Sequence, residues 1–313
     1  MQVVILLLPG RQGRSDLYPD LKRLLTQEIP IVSQAILTST INYGKNLRLI
    51  VSKVVAQICA KIGGIPWVID SMPYMEKRTM ICGMDVYHDT TEGGQISCIG
   101  FVASYNKTCT KYWPATHAMA APGDEIATKL KEHMASALEH FKEVNGGYPE
   151  RVILFRDSIY NAKPATLKET EVAQLVEACE ERDAKCLYCL VQRSANVELY
   201  AQGFYLDTYK NVVPGTVLTE GISRPAEAVG QEYFLISSSQ RMGFTSPARY
   251  TVLHDSTGEP LYKLHQLSYK LCHSYFNIAN SVKSPSPILY ARKLAKFMVE
   301  HSKEVTCNSG GLD

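Results

Sequence analysis

The stretch Thr79-Met80-Ile81-Cys82-Gly83-Met84-Asp85-Val86 decides the fold. It is an apolar run of strand length that delivers a carboxylate near its end. A second stretch, Arg151-Val152-Ile153-Leu154-Phe155, repeats the pattern and runs into Arg156-Asp157-Ser158. A single Asp at a strand end is usually a turn or cap residue. Two of them, each closing a buried strand, are a different matter, because rigid strand ends hold carboxylates at fixed places. Phosphodiester hydrolysis with two metal ions requires hard oxygen ligands around ions about 4 Å apart. Asp85 and Asp157 are therefore read together as candidate metal ligands.

Working outward, Gly94–Tyr105 and Lys111–Ala118 read as further strands, so 79–118 is a three-stranded meander. Pro122-Gly123-Asp124-Glu125 opens a helix expected to reach about Glu143, with Asp124 as N-cap. A helix over 165–182, a strand over Lys185–Gln192, two or three strands within 211–253 and helices over 259–279 and 285–301 follow. From residue 79 the order is three strands, helix, strand, helix, strand, the pattern of an RNase H-like α/β sheet. Upstream, Val3–Leu8, closed by Pro9-Gly10, reads as a buried parallel strand. A helix over Leu17–Leu25, a strand over Ile31–Leu37 and a helix over Leu47–Ile62 stopping at Gly63-Gly64 complete an open α/β unit. Pro66–Pro73 is the connector.

The 313 residues, 45% hydrophobic and 20% charged, are enough for two domains and exclude a disordered or collagen-like chain. No apolar run approaches the ~20 residues of a membrane span. The start, Met1-Gln2-Val3-Val4, lacks a basic n-region, so no signal peptide and no membrane partner are expected. Net charge is +2, but the first 75 residues carry eight Lys/Arg against four Asp/Glu, a weak pointer to phosphate. Nine cysteines without framework spacing fit a reducing compartment, so a cytoplasmic location is expected, or a nuclear one. Cys186 and Cys189, three apart on a strand, point to opposite faces and read as buried thiols.

Six separated motifs agree in order and spacing with one family. Cys82-Gly83-Met84-Asp85-Val86-Tyr87-His88-Asp89 and Phe155-Arg156-Asp157-Ser158 resemble the two Asp motifs of the PIWI domain of Argonaute/Piwi proteins. Gly63-Gly64-Ile65-Pro66-Trp67 resembles the connector before it. Leu271-Cys272-His273-Ser274-Tyr275-Phe276-Asn277, Pro285-Ser286-Pro287 and Tyr290-Ala291-Arg292-Lys293-Leu294-Ala295 resemble the C-terminal series. The Asp-Val-Tyr-His-Asp form and Asn277 are closer to the Piwi clade.

The resemblance implies a partial, Rossmann-like MID domain over 1–72 and an RNase H-like PIWI domain over 73–313. It implies a small, piRNA-type guide RNA with a 5′-phosphate, a complementary target RNA, and Mg²⁺-dependent cleavage of that target. Two Mg²⁺ ions are expected, or Mn²⁺ in their place. Asp85 and Asp157 match the family's first and second Asp, Glu125 its glutamate finger, and Arg292 stands where the family has a catalytic His. A guanidinium has no lone pair to give a metal. Either the carboxylates still support slow cutting, or Arg292 pairs with them and the chain only binds RNA. His88 is a candidate substitute.

Tyr18, Lys22, Gln34, Gln57 and Lys61 match the guide 5′-phosphate series, and Arg193, Arg249, Tyr275, Asn277 and Lys283 match positions along guide and target backbones. Family members are longer, carrying N-terminal and PAZ domains ahead of the part seen here. Tudor-type partners bind that N-terminal region. The sequence is therefore expected to be the C-terminal piece of a longer protein or a short isoform, and a truncated, non-functional fragment is the bland alternative.

Overall fold

The computed structural model describes residues 3–10, 14–42, 47–89, 96–119, 126–158, 163–203, 208–221, 230–239 and 243–301. They divide into two compact units: Met1–Val68 with Phe276–Ala279 and Phe297–Asp313, and Ile69–Tyr275 with Asn280–Lys296.

In the first unit, β1 (Val3–Leu8) pairs parallel with β2 (Val32–Leu37) in the register Val3↔Val32 to Leu8↔Leu37. The crossover is α1 (Arg14–Arg23), which runs into a π-helical turn at Leu24–Glu28. Short α2 (Thr38–Asn42) and long α3 (Leu47–Lys61) follow. Gly63, at φ +86°, ends the helix in the left-handed region a side chain disfavours. The apolar run 3–8 is not buried as expected: Ile5 and Leu7 are 55% and 60% exposed. Alternate residues of a strand face opposite ways, and the described sheet here has two strands only.

The second unit is built on an eight-stranded sheet. In chain order its strands and helices are β3 (Thr79–Asp89), β4 (Ile96–Ser104), β5 (Tyr112–Ala118), α4 (Leu130–Asn145), β6 (Arg151–Asp157), α5 (Pro164–Leu167), α6 (Ala173–Glu180) and β7 (Lys185–Gln192). A separate hairpin of β8 (Tyr200–Gln202) and β9 (Tyr209–Asn211) precedes β10 (Val217–Leu218), β11 (Gln231–Leu235), β12 (Ala248–Asp255), α7 (Leu261–Leu271) and α8 (Ser286–His301), of which Phe297 onward groups with the first unit. The sheet order is β10-β11-β12-β7-β6-β3-β4-β5, with β3, β6 and β7 parallel and the other pairs antiparallel. This is the meander extended by parallel strands that the sequence pattern implies.

Both faces of the central strands are covered, which is why they read as unbroken apolar runs. Met80, Cys82 and Met84 pack with Leu130, Met134 and Leu138 of α4 on one face. Ile81, Ile153 and Phe155 pack with Leu264, Leu267 and Leu271 of α7 on the other. Cys186 lies in the first core and Cys189 in the second, as strand alternation requires, and every described cysteine is free.

Three helix readings change. The helix expected from residue 124 begins at Leu130, with 126–129 irregular; Asp124 and Glu125 lie outside the described residues. The helix expected over 165–182 is interrupted by a π-helical turn at Lys168–Val172. The helix expected to reach 279 ends at Leu271, where Cys272 and His273 turn the chain. Among the described residues no helix is long and apolar enough to cross a membrane.

Candidate functional site

The β3–β6 register reaches Met84↔Arg156, one residue short of Asp85 and Asp157. The two carboxylates therefore lie at the same level of adjacent parallel strands, both buried; Asp157 ends β6, whereas β3 runs on past Asp85 to Asp89, four residues beyond, paired with β4. Asp85 Oδ1 accepts the N–H of Val86 at 2.8 Å. Burial pushes the Asp85 carboxyl above the usual carboxylate range, and the charge of Asp157 adds to this; Arg193, Arg156 and Arg292 pull it back.

One cation bridges the pair. Asp157 is the register partner of Val191 in β7, and Arg193 lies two residues further, on the same face. Its Nε donates to Asp157 Oδ1 at 3.0 Å, its Nη2 donates to Asp157 Oδ2, and the same Nη2 lies 3.5 Å from Asp85 Oδ2. Expected along an RNA backbone, Arg193 instead engages both acids.

Arg292 joins from the other side, with Nη1 3.6 Å from Asp85 Oδ2 and its side chain 45% exposed. Two glycines admit its helix. A Cβ on Gly83 would sit 2.2 Å from the Pro287 backbone carbon, and one on Gly100, the register partner of Asp85, 2.0 Å from Ala291 O. Only with bare backbone at both positions does α8 come close enough to carry Arg292 to Asp85. His88 does not join the acids: three residues on along the strand it faces the other way, and its Nδ1 lies 2.7 Å from Ser97 Oγ.

Asp85 and Asp157 are hard oxygen donors on rigid elements, and Mg²⁺ needs few protein ligands because it keeps several waters. The two residues fit a Mg²⁺ or Mn²⁺ ion in that chemical sense. Among the described residues no third His, Cys, Asp or Glu completes a cluster, and Glu125 lies outside them.

Sequence reasoning missed the layer beneath. Arg156 and Glu171 form a fully buried ion pair directly behind Asp157. Arg156 is part of the quoted motif; Glu171, among Lys168, Glu169 and Thr170, reads as a solvated helix residue. Phase is the one signal that could have found it, and the π-helical turn removes that too.

The first unit gathers a different cluster. Lys22 Nζ donates to Ser33 Oγ at 2.7 Å and to Ser33 O at 3.3 Å. Lys61 Nζ donates to Ser33 O at 2.8 Å and to Gln34 Oε1 at 2.7 Å. Gln34 Nε2 donates to Gln57 Oε1 at 3.2 Å. Lys22 and Gln34 are buried, and burial lowers the Lys22 ammonium from its ordinary value. Among the described residues Lys22 makes no ion pair. Tyr18, Gln34 and Gln57 line one cavity with Leu37, Thr40 and Val54. Four of the five residues read as a phosphate series are thus linked by hydrogen bonds or a shared neighbour, and Tyr18 stands at the cavity beside them. Ser33, the acceptor common to both lysines, was not singled out.

The remaining candidates are dispersed. Arg249 stacks over the Phe234 ring at 5.2 Å, its Nε buried without a hydrogen-bond partner. Tyr275 is buried against Tyr290, ring centroids 5.2 Å apart, rather than open to a ligand. Lys283 Nζ donates to Ser246 Oγ at 3.1 Å. Asn277 is half-buried and groups with the first unit.

The Piwi domain family model matches residues 3–303. Protein argonaute-3 of Drosophila melanogaster is 33% identical over 295 residues, covering 94% of this chain and 32% of that protein. Piwi-like protein 1 of Gallus gallus is 32% identical, covering 92% and 32%. The chain thus spans about a third of the length of the curated relatives it matches. Among solved structures, Drosophila Piwi superposes with a TM-score of 0.79 at 23% identity, covering 95% of this chain and 39% of that one. The C-terminal lobe of a budding yeast Argonaute gives 0.82 at 21%, covering 99% and 66%. The mixed sheet, with two acids at one level of adjacent parallel strands, is the RNase H-like fold of those lobes. With the family match running nearly end to end, the chain belongs to the Argonaute/Piwi family.

Proposed function

We propose that this chain holds a 5′-phosphorylated small guide RNA in its first unit and cleaves a paired target RNA in its second. One observation carries the cleavage reading: Asp85, inside β3 where its pairing with β6 stops, and Asp157, at the end of β6, meet at one level of the sheet and share one cation, Arg193. Two carboxylates this close offer the hard oxygen donors a divalent ion takes. When bound, Mg²⁺ or Mn²⁺ activates water and stabilises the charge that develops on the phosphate. Asp85 and Asp157 are the residues that would hold it, and the Arg193 guanidinium must leave their oxygens for it to bind. The rigid strands β3 and β6 keep the two carboxylates in register for that exchange.

In the first unit, Lys22 and Lys61 concentrate positive charge around Ser33 and Gln34 and supply charge-assisted donors to a 5′-phosphate. Tyr18 offers an aromatic face at the adjoining cavity for the first guide base. Sequence is then read by guide–target pairing, with the protein contacting backbone. Guide-bearing relatives support this: one superposed structure is a Kluyveromyces polysporus Argonaute with a guide RNA, at a TM-score of 0.80.

A second reading is favoured by Arg292 on Asp85: a chain that binds RNA without cutting. Single-turnover cleavage of a guide-matched RNA in Mg²⁺ separates the two. Cutting by the natural chain, abolished in Asp157→Ala, supports the nuclease. Cutting only after Arg292→His supports the binding module.

A further inference from the structure

Behind the acid pair lies a charged cluster to which the cleavage reading gives no task. Arg156 is 1% exposed and Glu171 0%. Arg156 Nε donates to Glu171 Oε2 at 3.3 Å, and its Nη1 donates to the backbone carbonyl of Asp157 at 3.2 Å. The hydroxyl of Tyr188, in β7, donates to the same Oε2. Glu171 Oε1 accepts the N–H of Ala127 at 2.7 Å. The Ala127 carbonyl accepts from Gln174 Nε2 at 2.8 Å, and Gln174 Oε1 accepts the N–H of Lys131 at 3.2 Å.

Three segments meet on one carboxylate: the end of β6, the middle of β7 and the lead-in to α4. Stability alone is a weak reason for such a pair, because apolar residues of similar volume often serve a core as well or better. Glu171 also reaches its place through the π-helical turn Lys168–Val172, an uncommon geometry found often at functional sites. The other end of the network grips the peptide of Asp157 itself.

We propose that Glu171 is a positioning residue: through Arg156 it fixes the backbone of Asp157 and so aims that carboxylate at a divalent cation. The inference rests on the cleavage reading and deepens it. The arginine is the link, because one face of the guanidinium is held by Glu171 while the other holds the Asp157 carbonyl. Ala127 and Tyr188 hold Glu171 in turn, so the carboxylate has no freedom to release Arg156.

The test is calorimetric titration of the full chain with MnCl₂, with a melting temperature recorded for each variant. Glu171→Gln keeps the volume and loses the charge; its Mn²⁺ affinity is expected to fall about tenfold, the usual cost of disturbing a residue that orients a ligand. Tyr188→Phe removes one bond and keeps the packing; a drop of about twofold in the same direction is expected. The deciding variant is Arg156→Met/Glu171→Met, which removes both charges at once and leaves net charge unchanged. It is expected to melt near the natural chain yet bind Mn²⁺ about tenfold more weakly. Natural affinity in this double variant, or in Tyr188→Phe, would mean the network only packs, and would overturn the proposal alone. A natural chain that binds Mn²⁺ no better than Asp157→Ala would overturn the cleavage reading and the proposal with it.

Discussion

Lys22 and Lys61 in the first unit, and Asp85 and Asp157 in the second, are both pairs of like charge, handled in opposite ways. The lysines donate to neutral oxygens of Ser33 and Gln34, which orient an ammonium. The aspartates face guanidiniums, Arg193 on both and Arg292 on one. The first arrangement gathers ammonium donors of the kind an anion needs. The second already faces two guanidiniums, and a metal ion would have to displace an arginine to bind there. A third arrangement, Arg156–Glu171, is sealed from solvent and exchanges with nothing. One sheet thus carries an open, exchangeable ion cluster directly in front of a closed one.

The sharpest contrast is between the closed and open clusters. Glu171→Ala strands a buried guanidinium and should cost about 3–5 kcal/mol of unfolding free energy. Arg292→Ala, which removes a half-exposed cation and leaves Arg193 on the buried Asp85, should cost about 0–1 kcal/mol. Urea denaturation of both variants measures the gap, and equal losses would break the distinction between closed and open.

Next in size is the contact that brings α8 to the acids. Gly100→Ala puts a Cβ about 2 Å from Ala291 O, and relief requires the helix to move. A loss of about 1–3 kcal/mol is expected in the same urea measurement. A neutral result would mean that α8 is not held against β4 as described.

Lys61→Ala tests the other half of the comparison. Loss of one charge-assisted donor should lower affinity for 5′-phosphorylated RNA about tenfold, ~1.4 kcal/mol, and leave 5′-hydroxyl RNA almost unchanged. Filter binding at one fixed salt concentration reads both. An equal loss on the two RNAs would make Lys61 a general backbone contact.

The smallest effect concerns pH. Burial works to raise the Glu76 carboxyl, but its own backbone N–H and hydrogen bonds from Arg151 and Lys263 outweigh it and hold it down to about 2. A depressed carboxylate stabilises the fold above its ordinary titration range, and that stability is lost as pH falls toward the folded value. The natural chain and Glu76→Gln should therefore differ most in urea midpoint above about pH 5 and converge as pH drops below about 4. A difference that widened on acidification would contradict the sign.

The two strands were legible because hydrophobic runs of strand length mark buried parallel strands; Asp157 does close β6, but β3 runs on past Asp85 to Asp89, where its polar residues pair with β4 alone. Arg193 shows where one-dimensional reading stops. Its link to Asp157 follows from the β6–β7 register, Asp157↔Val191, which spacing along the chain does not contain. Glu171 was hidden by a change of helical phase in the turn Lys168–Val172. The first strand read as buried because Val3–Leu8 is apolar throughout, yet Ile5 and Leu7 have no described layer over them. Among the residues expected at a 5′-phosphate, the positions rest on family resemblance; the structure adds Ser33, whose hydroxyl and carbonyl join the two lysines.

The claim on which the comparison turns is that Arg193 is a removable counter-ion at a divalent-cation site. Mn²⁺ titration of the full chain and of Arg193→Gln measures it directly. Relieved of the competing guanidinium, Arg193→Gln is expected to bind Mn²⁺ severalfold more tightly than the natural chain, with Asp157→Ala abolishing the difference. Unchanged or weaker binding in Arg193→Gln would contradict the account.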